Sequence, residues 1–373
     1  MADHRPAGAA RAASRLNAII RASKTPGLEY IVVSPTGIVF EYAGGWADLR
    51  RRVPVDAATT MMAYSMSKTV TAVAALQLVE AGSVGLDDPV YRHLDSSPYG
   101  PRVTVRQLIS HTSGIPNPIP LRWVHPAARH ESFDENAALD AVLRDHARLS
   151  FEPGTRCAYS NIGYWLLGKV VERTSGETFP GYVREHILRP LAIAPQELGD
   201  LVADPDHHAT GYLERYSFMN LVKGFLIDRD LIGDSSGRWL EIRAHYLNGP
   251  AFGGLVGTAA GFATFLQDQL RDRSVLLDDA TRRLLYAPQR TTRGAPVAMT
   301  LGWHIGDLDG TPFFYKEGGG GGFHCLMRLY QSEGLGTVVM TNATGFDVRR
   351  LLDEIDAAFI AREQPASVNR SDR

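Results

Sequence analysis

The β signals of this 373-residue chain lie near its two ends, with a long and largely helical stretch between them. Residues 30–33 and 38–42 are rich in β-branched and aromatic side chains and are separated by Ser34-Pro35-Thr36-Gly37, a turn sequence. Comparable runs return only at 301–305, 313–315, 325–330 and 336–341. Residues 9–23, before the first hairpin, and 348–360, after the last strand, have helical spacing. So do 67–81, 105–110, 136–144, 162–174 and 259–270, joined by stretches rich in Pro and Gly. Hairpins with short turns, and helices gathered at both termini, imply an antiparallel sheet covered by those helices. The expected fold is therefore α+β: an antiparallel β-sheet flanked by terminal helices, with an inserted, mostly helical lobe. Residues 1–60 together with 259–361 are assigned to the sheet domain and 61–258 to the helical domain. The polar, aperiodic residues 362–373 are expected to be a disordered tail. A cleft between the lobes is the natural place for a site.

Composition narrows the function. With 44% hydrophobic and 21% charged residues, the chain can bury a large core. Lys and Arg number 39 against 41 Asp and Glu, a net charge of -2, and no basic stripe runs long enough to track a phosphate backbone, so no nucleic-acid partner is expected. Cys157 and Cys325 are too few for a disulfide framework, lack metal-ligand spacing, and read as buried, reduced thiols. Adjacent His207 and His208 have poor geometry for one metal and read as surface residues. The longest uncharged run, 248–266, is broken by Pro250 and several glycines and reads as a buried loop feeding a helix, so no membrane partner is expected. No apolar run with a small-residue cleavage site is found near the start, and a cytoplasmic location is expected.

Three short stretches carry chemistry. In the first, residues 63–78 read AYSMSKTVTAVAALQL, placing Ser65 just ahead of an apolar helix and Lys68 three residues later. Residues at i and i+3 share a helical face, so hydroxyl and amine can meet. Backbone N–H groups at a helix start favour the negative charge that develops on an attacking oxygen or an oxyanion. A lysine serves as base once burial and neighbouring cations lower its pKa. Further on, FEPGTRCAYSNIGYWLLG at 151–168 delivers Tyr159, Ser160 and Asn161 to the mouth of an apolar helix. Taken alone, Asn161 reads as a helix cap and Tyr159 as a core residue, and only the neighbouring motifs favour the catalytic reading. The third stretch, FFYKEGGGGGF at 313–323, puts Lys316 on a β segment ahead of five glycines, which let a ligand or another chain approach the backbone closely.

Ser65-Met66-Ser67-Lys68, Tyr159-Ser160-Asn161 and Lys316-Glu317-Gly318, in this order, resemble the three motifs of serine β-lactamases and penicillin-binding proteins. The Tyr-x-Asn second motif points to the class C branch, which also contains esterases, D-amino-acid peptidases and transacylases. LDDPV at 86–90, VRQLISHTSGI at 105–115 and GGLVGTAAGFATFL at 253–266 resemble it as well, so the likeness spans roughly residues 15–360. It implies a Ser65 acyl-enzyme, with Lys68 and Tyr159 handling the serine proton and leaving open which of them is the base. The implied oxyanion donors are the backbone N–H groups of Ser65 and Gly319, the residue after Gly318 in the strand motif. Asn161 and Lys316 are the implied substrate-side contacts. No cofactor or metal is implied, and the expected partner is a small-molecule ester, amide or short peptide.

The chain departs from that family at Glu317, where lactam-hydrolysing members usually carry Thr. A carboxylate facing the pocket would repel carboxylate-bearing substrates; strand alternation could equally turn it away. With the absent export signal, this favours an esterase or amidase over a β-lactamase or D,D-peptidase. A transacylase and a non-turnover ligand sensor remain alternatives. Specificity is expected to be set within 200–248, where Tyr212, Tyr216, Phe218, Phe225 and Trp239 are available to line an acyl pocket. In that segment Gly233-Asp234-Ser235-Ser236-Gly237 also matches the nucleophile elbow of α/β-hydrolases, which requires a strand before Ser235 and a helix after it.

Overall fold

Strands from the two ends of the chain meet in one seven-stranded antiparallel sheet. Its order is His304–Leu308, Thr311–Gly319, His324–Tyr330, Leu335–Thr341, Gly27–Ser34, Gly37–Asp48, Val53–Pro54. The computed structural model describes residues 5–95, 97–118, 123–216 and 229–360; the expected tail lies outside them. The closing seam pairs the first strand with the last long one, with Tyr30 opposite Val339. Gly27–Ser34 is buried along its whole length. Its pleat sends Leu28, Tyr30 and Val32 into one core and Ile31 and Val33 into the other. That two-sided burial is why the strand reads as a continuous apolar run and not as an alternation.

The terminal helices Arg5–Arg21 and Val348–Ile360 pack on each other over one face. Asp356 fastens the second of them to the sheet by accepting hydrogen bonds from Tyr30, Tyr330 and Thr337 at 2.8, 2.8 and 3.0 Å. Ala259–Leu270 covers the opposite face, and beyond it lies the helical lobe. There Ser67–Glu80 packs against Asn161–Ser175 and is buried nearly all round, as its apolar sequence requires.

The middle of the chain is less helical than its sequence implies. Gly211–Glu214, Ile232–Ser236 and Trp239–Ile242 form a four-stranded sheet with Ala343–Thr344, and His245–Leu247 pairs with Val124–Pro126. Strands of three to five residues are too short to show a period of two. Two surface assignments also change. Cys325 is buried but Cys157 is exposed, and His208 is half-buried, with Nδ1 3.0 Å from Thr60 Oγ1, while His207 is exposed. No helix among the described residues is long and apolar enough to cross a membrane.

Glu29 sits on Gly27–Ser34, an interior strand of the sheet, with 2% exposure; Oε2 accepts the Ala259 N–H at 3.1 Å and Oε1 has no partner among the described residues. Burial pushes its carboxyl from 4.5 up to about 8. Both folded and unfolded chains hold this proton in acid. As pH rises past 4.5 the unfolded chain releases it first, so its contribution to stability falls and is lost once pH passes about 8. Glu29→Gln keeps the acceptor and abolishes the titration. Unfolding free energies from urea titrations across that window should therefore fall less steeply with pH in the variant, by about 1.4 kcal/mol per unit; parallel curves would refute this.

Candidate active site

Ser65 lies in a single turn, Tyr64–Met66, that runs directly into Ser67–Glu80. The i, i+3 spacing brings Lys68 Nζ to 2.9 Å from Ser65 Oγ. Lys68 is wholly buried, and its amine is also held by Asn161 Oδ1 at 2.7 Å and by the Phe252 carbonyl. Burial, and after it the charge of Lys316, depresses its pKa well below the ordinary lysine range.

Tyr159 reaches the same oxygen from the segment just ahead of Asn161–Ser175, its hydroxyl donating to Ser65 Oγ at 2.6 Å. Burial raises its pKa and keeps it a phenol. Ser160 caps Asn161–Ser175 by accepting the Gly163 N–H at 3.0 Å, so Asn161 is not needed as the cap. Asn161 turns its amide toward Lys68 instead, and Asn117 fixes which way the amide points. Asn117 Oδ1 accepts from Asn161 N at 3.0 Å and Nδ2 at 3.1 Å. His111 Nδ1 accepts the Ser160 N–H at 3.2 Å and its ring stands 4.4 Å from that of Tyr159, with burial lowering its pKa. Asn117 and His111 were not singled out from sequence; His111 falls in the VRQLISHTSGI stretch, but nothing local links it to Tyr159.

The third stretch closes the site. Lys316 is wholly buried, lies 5.6 Å from the Tyr159 ring centroid and has no hydrogen-bond partner among the described residues; burial brings its pKa down to about 7. A side chain at Gly318 would begin 2.1 Å from the Ala63 carbonyl and 2.9 Å from Ser65 N, so only glycine lets this strand touch the turn that carries Ser65. Gly319 ends the strand beside it. Glu317 alternates to the opposite face, where it accepts from His324 Nε2 at 2.8 Å and from Arg349 Nε. Its charge is spent there, so the expected repulsion of substrate carboxylates has no basis in this structure.

Ser65 opens into a cavity of about 340 Å³ lined chiefly by Val124, Leu213, Leu231, Ile242, Leu247, Phe252 and Phe323. Asn161, Gly319, His245 and His324 supply polar edges, and no Lys, Arg, Asp or Glu side chain lines it among the described residues. Four of these apolar residues, Leu213, Leu231, Ile242 and Leu247, come from 200–248, as expected, but they are not the aromatic ones. The pleat that turns Leu213 inward turns Tyr212 outward, into a separate small core with Trp239. Tyr216 is 80% exposed, and Phe218 and Phe225 lie outside the described residues. Ser235 is exposed on a hairpin that returns as Trp239–Ile242, so no helix follows it and the nucleophile-elbow reading fails.

The chain resembles known proteins in sequence and in fold. The chain is 24% identical over 270 residues to penicillin-binding protein 4* of Bacillus subtilis, covering 71% of this chain and 56% of that protein. It spans about half the length of the curated relatives it matches. Its fold matches the octameric penicillin-binding protein homologue from Pyrococcus abyssi with a TM-score of 0.76 at 22% identity, over 93% of this chain and 76% of that one. For the D-amino acid amidase from Ochrobactrum anthropi SV3 the TM-score is 0.74 at 19% identity, over 93% and 98%. The Beta-lactamase family model matches residues 12–361, nearly the whole chain, and with three ordered motifs gathered around Ser65 the protein belongs to that family.

Proposed function

We propose that this protein is a serine hydrolase that forms an acyl-enzyme on Ser65 from an ester or amide whose acyl group is neutral and apolar. The observation that carries this reading is the placement of Ser65 Oγ between Lys68 Nζ and the Tyr159 hydroxyl. The hydrogen-bond count supports Lys68 as the base. A neutral amine has two N–H bonds and one lone pair. Asn161 Oδ1 and the Phe252 carbonyl can only accept, so they take the two hydrogens and leave the lone pair for the Ser65 proton. Tyr159, held as a phenol, steadies the attacking oxygen, then gives its proton to the leaving group and is reprotonated from Lys68. The Ser65 and Gly319 N–H groups would receive the oxyanion. Water attacking the acyl-enzyme and passing its proton back by the same route releases the acid. Asn161 keeps one N–H for substrate, and Lys316, without a hydrogen-bond partner among the described residues, adds positive potential beside Tyr159. No step requires a cofactor.

The substrate class rests on the cavity. A carboxylate would need a cation and an ammonium group a carboxylate, and among the described residues its lining offers neither. This favours an esterase or amidase over a β-lactamase or D,D-peptidase. Short p-nitrophenyl esters and nitrocefin, assayed in parallel, test the choice. Ester turnover with nitrocefin barely touched is expected, and rapid nitrocefin hydrolysis would overturn the substrate class while leaving the nucleophile in place.

A further inference from the structure

Two features beside Ser65 have no part in that mechanism. Tyr64, immediately before the nucleophile, has φ of +45°, a left-handed conformation rare for a bulky residue and kept only where its surroundings enforce it. The five-glycine run extends three residues past Gly319, further than an oxyanion strand requires. Each feature accounts for the other. The Tyr64 ring lies where a Gly320 side chain would begin, 2.3 Å from its nearest carbon, so the ring and the glycine turn interlock. The Tyr64 hydroxyl sits 2.8 Å from the Gly321 carbonyl and 2.9 Å from His245 Nε2, two acceptors that share its proton. His245 is buried on the strand His245–Leu247 and is aimed by its Nδ1–H, which donates to the Arg243 carbonyl at 2.9 Å. That arrangement needs a neutral ring, which burial favours.

Resting on the acyl-enzyme reading, we propose that Tyr64 and His245 are positioning residues that set the separation of the two oxyanion donors. The Ser65 amide comes one residue after Tyr64, and the Gly319 amide two residues before Gly321. A hydroxyl linking Tyr64 to Gly321 therefore spans the two chain segments that must converge on one developing charge. His245 ties that link to the strand bearing Leu247, in the wall of the substrate cavity. Donors that miss the oxyanion by a fraction of an ångström lose rate without losing substrate affinity.

Labelling with an alkyl fluorophosphonate, which bonds phosphorus to the serine oxygen and expels fluoride, tests this without knowledge of the natural substrate. The rate at saturating reagent and the reagent affinity are measured separately, the modified residue is mapped by mass spectrometry, and thermal midpoints are recorded for each variant. Tyr64→Phe keeps the interlocked ring; its saturating rate is expected to fall about tenfold or more with affinity within about twofold. His245→Gln, which retains an acceptor oxygen, should label faster than His245→Leu, and this pair decides the matter even if Tyr64→Phe folds poorly. Wild-type labelling rates in Tyr64→Phe, or equal rates in the two His245 variants, overturn the brace alone. Failure of wild-type Ser65 to be labelled removes the acyl-enzyme reading and the brace with it.

Discussion

Ser65→Ala is expected to abolish acyl-enzyme formation and to cut ester turnover by at least about 10⁴-fold, while Ser235→Ala turns over like the wild type. The contrast follows from what surrounds the two hydroxyls. Ser65 Oγ has an amine at 2.9 Å to take its proton, a phenol at 2.6 Å to steady it, and the glycine strand against its own backbone. Removing it leaves Lys68 and Tyr159 with nothing to deprotonate. Ser235 is exposed on an antiparallel hairpin, with no helix behind it. Burst and steady-state kinetics with p-nitrophenyl esters measure the outcome. Activity that survives Ser65→Ala and vanishes in Ser235→Ala would overturn the mechanism.

Removing the base should have the second largest effect. Lys68→Met is expected to lower the acylation rate by about 10²- to 10⁴-fold, the usual worth of a positioned general base. Its pH dependence is the sharper test. Acylation requires Lys68 neutral, so the wild-type rate should climb with pH along a limb set by the Lys68 pKa, which burial and Lys316 hold well below the ordinary lysine range. Lys316→Met removes a cation that disfavours protonated Lys68, so it should move that limb to higher pH. Lys68→Met should erase the limb. If it persists in Lys68→Met, the base is elsewhere, with Tyr159 the first alternative.

The parts of this site that were legible from the residues alone are those governed by local geometry. Ser65 and Lys68 meet because they lie one helical turn apart, and that relation holds in any fold that keeps the helix. The two-ended β pattern likewise announced an antiparallel sheet, since distant strands with short local turns have few other ways to satisfy their backbones. Asn161 and Tyr159 were visible as a pair, yet nothing local told a cap from a ligand to Lys68; that depended on Ser160 taking the cap.

Other outcomes were settled only by packing. Glu317 could not be assigned a face until Arg349, on the last helix, and His324, on the next strand, were seen to hold it away from Ser65. The cavity beside Ser65 draws on Leu213 and not Tyr212 because pairing with Trp239–Ile242 chose which side of a four-residue strand faces inward, and so short a strand has no periodicity to announce the choice. What the sequence determined by itself was the order of the elements and the contacts between residues within one turn of each other. Only the tertiary structure decided that Tyr159, separated from Ser65 by 94 residues, and Phe252, separated from Lys68 by 184, close around the same two side chains, because contacts across such separations are selected by how whole elements pack.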